Sequence, residues 1–89
     1  MRLRLLVKGR VQGVGFRYFL RRAAQKMAVT GWVRNLIDGD VEMEAQADEK
    51  TLRDFREEVE RGHPWAQVES ILSDNLPGKQ GENDFEIET

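Results

Sequence analysis

Apolar and polar residues alternate one by one in two stretches of the chain, and this period of two indicates β-strands. In the first stretch, Leu3, Leu5 and Val7 are separated by single residues. In the second, from Asp40 to Ala47, every odd position is apolar and every even position is Asp, Glu or Gln. One face of each strand should contact the core, and we predict that the acidic face of the second strand is solvated.

Three further segments are rich in β-branched and aromatic residues, which favours strands. They are Val29–Arg34, Trp65–Ser73 and a short edge strand around Phe85 and Ile87. Alternation breaks at Ile71-Leu72, where a bulge is predicted. Asp38-Gly39 predicts a hairpin turn, and residues 75–83, with one proline and two glycines, predict a loop.

Two segments carry apolar residues three and four positions apart, the spacing of an amphipathic helix. In the first helix these are Phe16, Phe19, Leu20, Ala23 and Met27. In the second they are Leu52, Phe55 and Val59. Asp48 is a suitable N-cap for the second helix, and Gly62, closely followed by Pro64, should end it. We expect Trp32 and Trp65 to pack in the core or to be half-buried.

In chain order these elements read β-α-β-β-α-β with an extra C-terminal strand. This order predicts an α+β fold, a ferredoxin-like split β-α-β sandwich in which an antiparallel sheet carries both helices on one face. The length of 89 residues suits one small core, so residues 1–89 are predicted to form a single domain. Right-handed crossovers would bring the loop after the first strand close to Asn35, at the end of the second.

The amino-acid composition excludes several kinds of functional site. The chain has no cysteine and one histidine, which excludes disulfides, thiolate nucleophiles and histidine-rich zinc sites. We therefore expect no metal and no cofactor. No apolar run approaches the length of a membrane span and no signal-peptide pattern is present, so we predict a cytoplasmic protein without a membrane partner.

The charges are distributed unevenly along the chain. Residues 1–34 contain nine Lys and Arg and no acids, whereas residues 35–89 contain the other five basic residues and all sixteen Asp and Glu. A basic segment suits one small anion. The acidic remainder would repel an extended polyanion, so we expect no nucleic-acid partner.

The segment Gly9–Arg17, with the sequence Gly-Arg-Val-Gln-Gly-Val-Gly-Phe-Arg, joins the first strand to the first helix. Glycine allows successive N–H groups to point at one small object, and a helix N-terminus adds unpaired N–H groups and the positive end of its dipole. The planar guanidinium of Arg17 fits a tetrahedral oxyanion. The segment therefore predicts a phosphate cradle. It matches neither a P-loop nor a dinucleotide fingerprint, and it offers no covalent nucleophile.

Residues 7–17 resemble the first signature of the acylphosphatase family. Residues 31–35, Gly-Trp-Val-Arg-Asn, followed by Gly39 and Val41, resemble the second. Ala28 and Ala47 stand where members of the family often have glycine. If φ is positive at these positions, alanine should cost about 1 kcal/mol of local strain.

The resemblance implies hydrolysis of acyl phosphates, the mixed anhydrides of a carboxylic acid and phosphate. By the same resemblance, Arg17 binds the phosphate and Asn35 orients the attacking water. The main-chain cradle would comprise the N–H groups of Gln12, Gly13, Val14, Gly15 and Phe16. The expected partner is a small acyl phosphate, and the expected state is a monomer.

Two other functions are compatible with this pattern. Acylphosphatase-like domains occur as accessory parts of larger proteins that handle carbamoyl phosphate, although the pair of Arg17 and Asn35 favours an enzyme. An RNA-binding ferredoxin-like module would need exposed aromatic residues on adjacent central strands, and these are not evident. The sequence leaves the physiological acyl phosphate open.

Overall fold

The predicted β-α-β-β-α-β order is confirmed by a computed structural model that describes residues 1–89. Its elements are β1 (Arg2–Arg10), α1 (Phe16–Lys26), β2 (Thr30–Asn35), β3 (Val41–Gln46), α2 (Glu49–Arg61), β4 (Gln67–Leu76) and β5 (Phe85–Ile87). The side chain of Asp48 accepts a hydrogen bond from the Thr51 N–H at 2.8 Å, and Gly62 is the C-cap of α2. Both predicted ends of the second helix are therefore confirmed.

The five strands form one sheet in the order β4-β1-β3-β2-β5. The first four strands pair antiparallel, as expected of the split β-α-β arrangement. The short β5 pairs parallel with β2, with Phe85 opposite Gly31. The sheet is therefore mixed rather than wholly antiparallel.

One face of the sheet and both helices share a single core of 16 buried residues. Leu5 on β1 and Val33 on β2 both lie opposite Met43 on β3, so all three project to the same side. Leu20 of α1 and Phe55 of α2 belong to the same buried cluster, as the helical spacing predicts. No helix is long and apolar enough to cross a membrane.

The predicted bulge is present but lies elsewhere. Lys8 pairs with Ser70 and Gly9 pairs with Val68, so Glu69 is the extra residue on β4. The break at Ile71-Leu72 is therefore not the bulge. As a second difference, β1 continues through Gly9, and the glycine loop is shorter than the sequence indicates.

The environment of Trp65 also differs from the prediction. Its side chain is 73% exposed and lies before β4, which begins at Gln67. The main-chain N–H of Trp65 donates to Nδ1 of His63 at 3.1 Å, and this local turn keeps the residue out of the strand. Trp32 is half-buried, as expected.

The acidic face of β3 is not simply solvated. Glu42 is 7% exposed because β3 lies between β1 and β2, and it accepts hydrogen bonds at 2.8 Å from Nε of Arg4 and of Arg34. Burial alone would raise the pKa of the Glu42 carboxyl, but the hydrogen bonds from Arg34 and Arg4 outweigh burial and hold this pKa below its usual value. Asp40, 9% exposed, accepts from Nζ of Lys8 at 2.7 Å. The prediction of a solvated face is therefore wrong at Glu42 and Asp40.

Candidate active site

The glycine loop occupies residues 11–15, between β1 and α1. Gly13 and Gly15 have φ values of 77° and 76°, in the left-handed region that residues with a Cβ rarely adopt. No main-chain N–H from Gln12 to Gly15 donates to a main-chain carbonyl. The two glycines thus allow a loop whose donors are free for an outside acceptor, as the sequence predicts.

The N-terminus of α1 is open in the same way. Gly15 is the N-cap, no side chain caps the helix, and its first turn contains no acidic residue. The first hydrogen bond at this end runs from the Phe19 N–H to the Gly15 carbonyl at 3.1 Å, so the N–H groups of the first turn have no helical partner. These donors and the positive end of the helix dipole favour an anion.

A cavity of about 100 Å³ lies between this loop and the end of β2. Its lining residues are Val11, Gln12, Gly13, Gly15, Phe16, Arg17, Tyr18 and Asn35. The topology therefore brings together the two predicted catalytic residues, Arg17 and Asn35, although they are far apart in sequence. Val14 belongs to the loop but not to this lining.

Arg17 is half-buried on the first turn of α1. It takes part in none of the eight ion pairs in the structure, whereas Lys8, Arg4 and Arg34 are all paired with carboxylates. No Asp or Glu lines the cavity. The guanidinium of Arg17 is therefore a cation available to an anion in this cavity.

Asn35 is the last residue of β2 and is paired with Val41 of β3. Its Oδ1 atom is buried and has no hydrogen-bond partner. A buried carbonyl without a donor costs about 1–3 kcal/mol, so such an atom in a cavity requires an explanation. The free oxygen can accept a proton donor such as a water molecule.

The side chain of Gln12 connects the loop to the hairpin that follows β2. Its Nε2 donates to the main-chain carbonyls of Leu36 and Asp40, at 2.8 Å in both cases. Leu36 directly follows Asn35, so these two bonds tie the glycine loop to the segment that carries Asn35. The sequence assigned only the main-chain N–H of Gln12 to the site, because nothing in the residue order shows where a glutamine side chain reaches.

Tyr18 is a further lining residue, one that the sequence does not predict. It lies on the first turn of α1 and its side chain is 59% exposed. The guanidinium carbon of Arg21 lies 5.4 Å from the centre of the Tyr18 ring. The only signal in the sequence was its position next to Arg17.

A larger cavity, of about 380 Å³, lies near β5 and is an unsuitable anion site. Carboxylates dominate its charged lining, which includes Glu82, Asp84, Glu86 and Glu88 beside the single Lys79. These charges would repel a phosphate. The smaller cavity next to Arg17 is therefore the better candidate for phosphate chemistry.

The chain is similar to known proteins along nearly its whole length. A family model described as Acylphosphatase matches residues 3–87. A curated acylphosphatase of Treponema denticola is 49% identical over 97% of this chain and 90% of its own. The crystal structure of acylphosphatase from Bacillus subtilis superposes with a TM-score of 0.93, at 41% identity, and covers 99% of this chain and 98% of that one. The structure of HypF from T. kodakarensis has a TM-score of 0.87 at 28% identity and covers 100% of this chain but 12% of HypF.

The family match, the relatives that are similar over almost their whole length and the shared fold lead to one assignment. The chain belongs to the acylphosphatase family, hydrolases that cleave acyl phosphates.

Proposed function

We propose that residues 1–89 act as one domain that hydrolyses the carboxyl-phosphate bond of acyl phosphates in the cavity between the glycine loop and β2. In this proposal the main-chain N–H groups of residues 12–16 and the guanidinium of Arg17 bind the phosphoryl oxygens. The carboxamide of Asn35 orients the water. One observation carries the proposal. Arg17, which has no carboxylate partner, and the buried Oδ1 of Asn35, which has no hydrogen-bond donor, line the same cavity.

The size of the cavity suits a small anion and one water. About 100 Å³ is several times the roughly 30 Å³ that a water molecule occupies in the liquid. The site needs no nucleophilic side chain, because a carboxylate is a good leaving group. Catalysis then consists of positioning the phosphoryl group and neutralising its charge, which is the main contribution of proteins to phosphoryl transfer.

The reaction can be written without a protein base. The water oxygen forms a bond to phosphorus while the bond from phosphorus to the acyl oxygen breaks. The electron pair of that bond leaves with the carboxylate. The proton released by the water passes to a phosphoryl oxygen of the substrate, and the products are the carboxylate and inorganic phosphate. A pH–rate profile that requires an enzyme group titrating near neutrality would contradict this last step.

Benzoyl phosphate hydrolysis tests the proposed roles. Arg17→Ala and Asn35→Ala should each lower kcat by roughly 10²–10³, as is found when one oxyanion donor is removed, and should leave the circular dichroism spectrum unchanged. Arg22→Ala and Asn75→Ala are matched controls, since both side chains are exposed and do not line the cavity. Near wild-type hydrolysis by either site variant would contradict the assignment.

A second function is favoured by the similarity to HypF, of which this chain would correspond to only a small part. A non-catalytic, accessory acylphosphatase-like domain would have the same fold. The free Arg17 and the unpartnered Asn35 argue for catalysis, because together they offer a donor for the phosphoryl group and an acceptor for the attacking water. A wild-type protein that fails to hydrolyse benzoyl phosphate would support the accessory role.

We also propose that the protein works as a monomer on a small molecule and without nucleic acid. The glycine loop, Arg17 and Asn35 line one cavity of a single chain, so the proposed site needs no residue from a second copy. Light scattering would test the monomer, and RNA binding at low and high salt would test the second point. A cytoplasmic location stays a prediction from the sequence.

A further inference from the structure

We propose that the exposed ring of Tyr18 binds the acyl group of the substrate and makes the enzyme selective for aromatic and other large apolar acyl phosphates over acetyl phosphate. This inference rests on the proposed function, because it assumes that the phosphate occupies the cradle. It concerns the part of the substrate that projects from the cavity.

The direction of attack limits where the acyl group can lie. In phosphoryl transfer the attacking and leaving oxygens are roughly in line with the phosphorus. If Asn35 holds the attacking water, the acyl oxygen leaves on the side of the phosphorus that faces away from Asn35. The residue that contacts the acyl group therefore belongs to the rest of the cavity lining.

Only one apolar side chain in that remaining lining is accessible. Val11 and Phe16 are 1% and 2% exposed and form part of the buried core. Tyr18 is 59% exposed. Tyr18 is therefore the apolar group that a projecting acyl chain or ring can contact.

The ring of Tyr18 is also free of other partners. Its hydroxyl group forms no hydrogen bond with the protein, and the ring belongs to none of the aromatic pairs. The ring contacts Arg21, whose guanidinium lies over it at 5.4 Å. This contact leaves the opposite face of the ring uncovered by the guanidinium, and aromatic groups pair favourably with such a surface.

A neighbouring groove offers an alternative location for the acyl group. This groove, of about 490 Å³, shares Asn35 with the phosphate cavity and contains Leu36 and the fully exposed Ile37. The groove lies on the same side of the phosphorus as Asn35, which is the side from which the water would attack. The leaving group departs from the opposite side, so in-line geometry excludes this groove as its site. Ile37 therefore provides a matched control at a similar distance along the chain from a catalytic residue.

The test compares kcat and KM for benzoyl phosphate and acetyl phosphate in wild type, Tyr18→Ala, Tyr18→Phe and Ile37→Ser. Tyr18→Ala should lower kcat/KM for benzoyl phosphate by about 3- to 10-fold, a typical value for the loss of an aromatic contact. The loss should be a rise in KM with kcat nearly unchanged, because the contact is the same before and during the reaction. For acetyl phosphate the change should be less than about 2-fold, because its methyl group offers little apolar surface for the ring to contact. Tyr18→Phe and Ile37→Ser should both keep the wild-type ratio between the two substrates.

Two results would overturn the inference while leaving the proposed function intact. One is an unchanged ratio of benzoyl to acetyl phosphate hydrolysis in Tyr18→Ala. The other is a ratio that falls as much in Ile37→Ser as in Tyr18→Ala. Failure of the wild-type protein to hydrolyse either substrate would instead overturn the proposed function, and this inference with it.

Discussion

The side-chain amide of Gln12 donates to the main-chain carbonyl of Asp40 at 2.8 Å, across 28 positions of the sequence. Together with the bond to the carbonyl of Leu36, it fixes the glycine loop against the β2–β3 hairpin. Within the hairpin, the Asp40 carbonyl also accepts from the Leu36 main-chain N–H, and the Leu36 carbonyl accepts from the Gly39 main-chain N–H. Gln12 thus joins two segments that carry the two halves of the proposed site.

Replacing Gln12 should affect activity more than stability. Because both carbonyls keep a second donor, Gln12→Ala should cost only about 0.5–1.5 kcal/mol in the free energy of unfolding. A loosened loop should lower kcat/KM by roughly 10-fold, since small displacements of catalytic groups are costly. Gln25→Ala is the control, because its amide makes one exposed hydrogen bond, at 3.3 Å to Asp84. Equal effects of the two variants on kcat/KM would exclude a positioning role for Gln12.

Lysine at position 17 should not restore the catalytic activity that Arg17 provides. The guanidinium can present two parallel N–H donors to two phosphoryl oxygens, whereas an ammonium is a compact point charge. We expect Arg17→Lys to lower kcat by roughly 10²-fold or more, close to the effect of removing one oxyanion donor. Steady-state hydrolysis of benzoyl phosphate measures the loss, with Arg22→Lys as the control. Activity within about threefold of wild type would mean that charge alone suffices at this position.

Glu42 should make stability depend on pH. Its hydrogen bonds with Arg34 and Arg4 lower its pKa in the folded protein, so its contribution is complete above the unfolded value of about 4.3. That contribution is lost as the pH falls through the lowered, folded pKa. At pH 7, Glu42→Gln should cost about 1–3 kcal/mol, and the difference from wild type should shrink towards zero in acid. Urea unfolding at several pH values measures this. The exposed Glu60, changed to Gln, is the control, and a deficit that did not vary with pH would contradict the ion-pair explanation.

Replacing Ala28 by glycine should stabilise the protein. It has φ 57°, in the left-handed region, and follows α1 in a turn where the Val29 N–H donates to the Ala24 carbonyl at 2.8 Å. Ala28→Gly should therefore raise the free energy of unfolding by about 0.5–1 kcal/mol, after the greater freedom of unfolded glycine is counted. Ala47, the other position where the family often has glycine, does not have a positive φ.

Ala47→Gly is thus the matched control for Ala28→Gly. With no strain to relieve, glycine at position 47 should lower stability by about 0.5–1 kcal/mol. Thermal unfolding of the two variants should shift in opposite directions. A loss of stability in both would show that the left-handed conformation of Ala28 carries no cost.

Local periodicity was the main basis for predicting the helices and strands. The alternation along β3 and the helical spacing from Phe16 to Met27 each identified the buried face, because the geometry of a strand or a helix fixes which side chains share a side. At Glu42 the error arose because its burial depends on partners that lie on two other strands, Arg4 and Arg34. At Trp65 the cause is local. Trp65 is apolar yet exposed, since a local bond to His63 turns the chain there.

The sequence by itself determined the order of the elements, the family and the loop that holds Gly13 and Gly15, because each of these is encoded in short-range pattern. Only the tertiary structure decided which charges remain free. Glu42 is buried between arginines of two other strands, Gln12 reaches across to the hairpin, and Arg17 is left without a carboxylate. The physical reason is that hydrogen bonds and ion pairs depend on distances in space, and those distances exist only after the strands have taken their register.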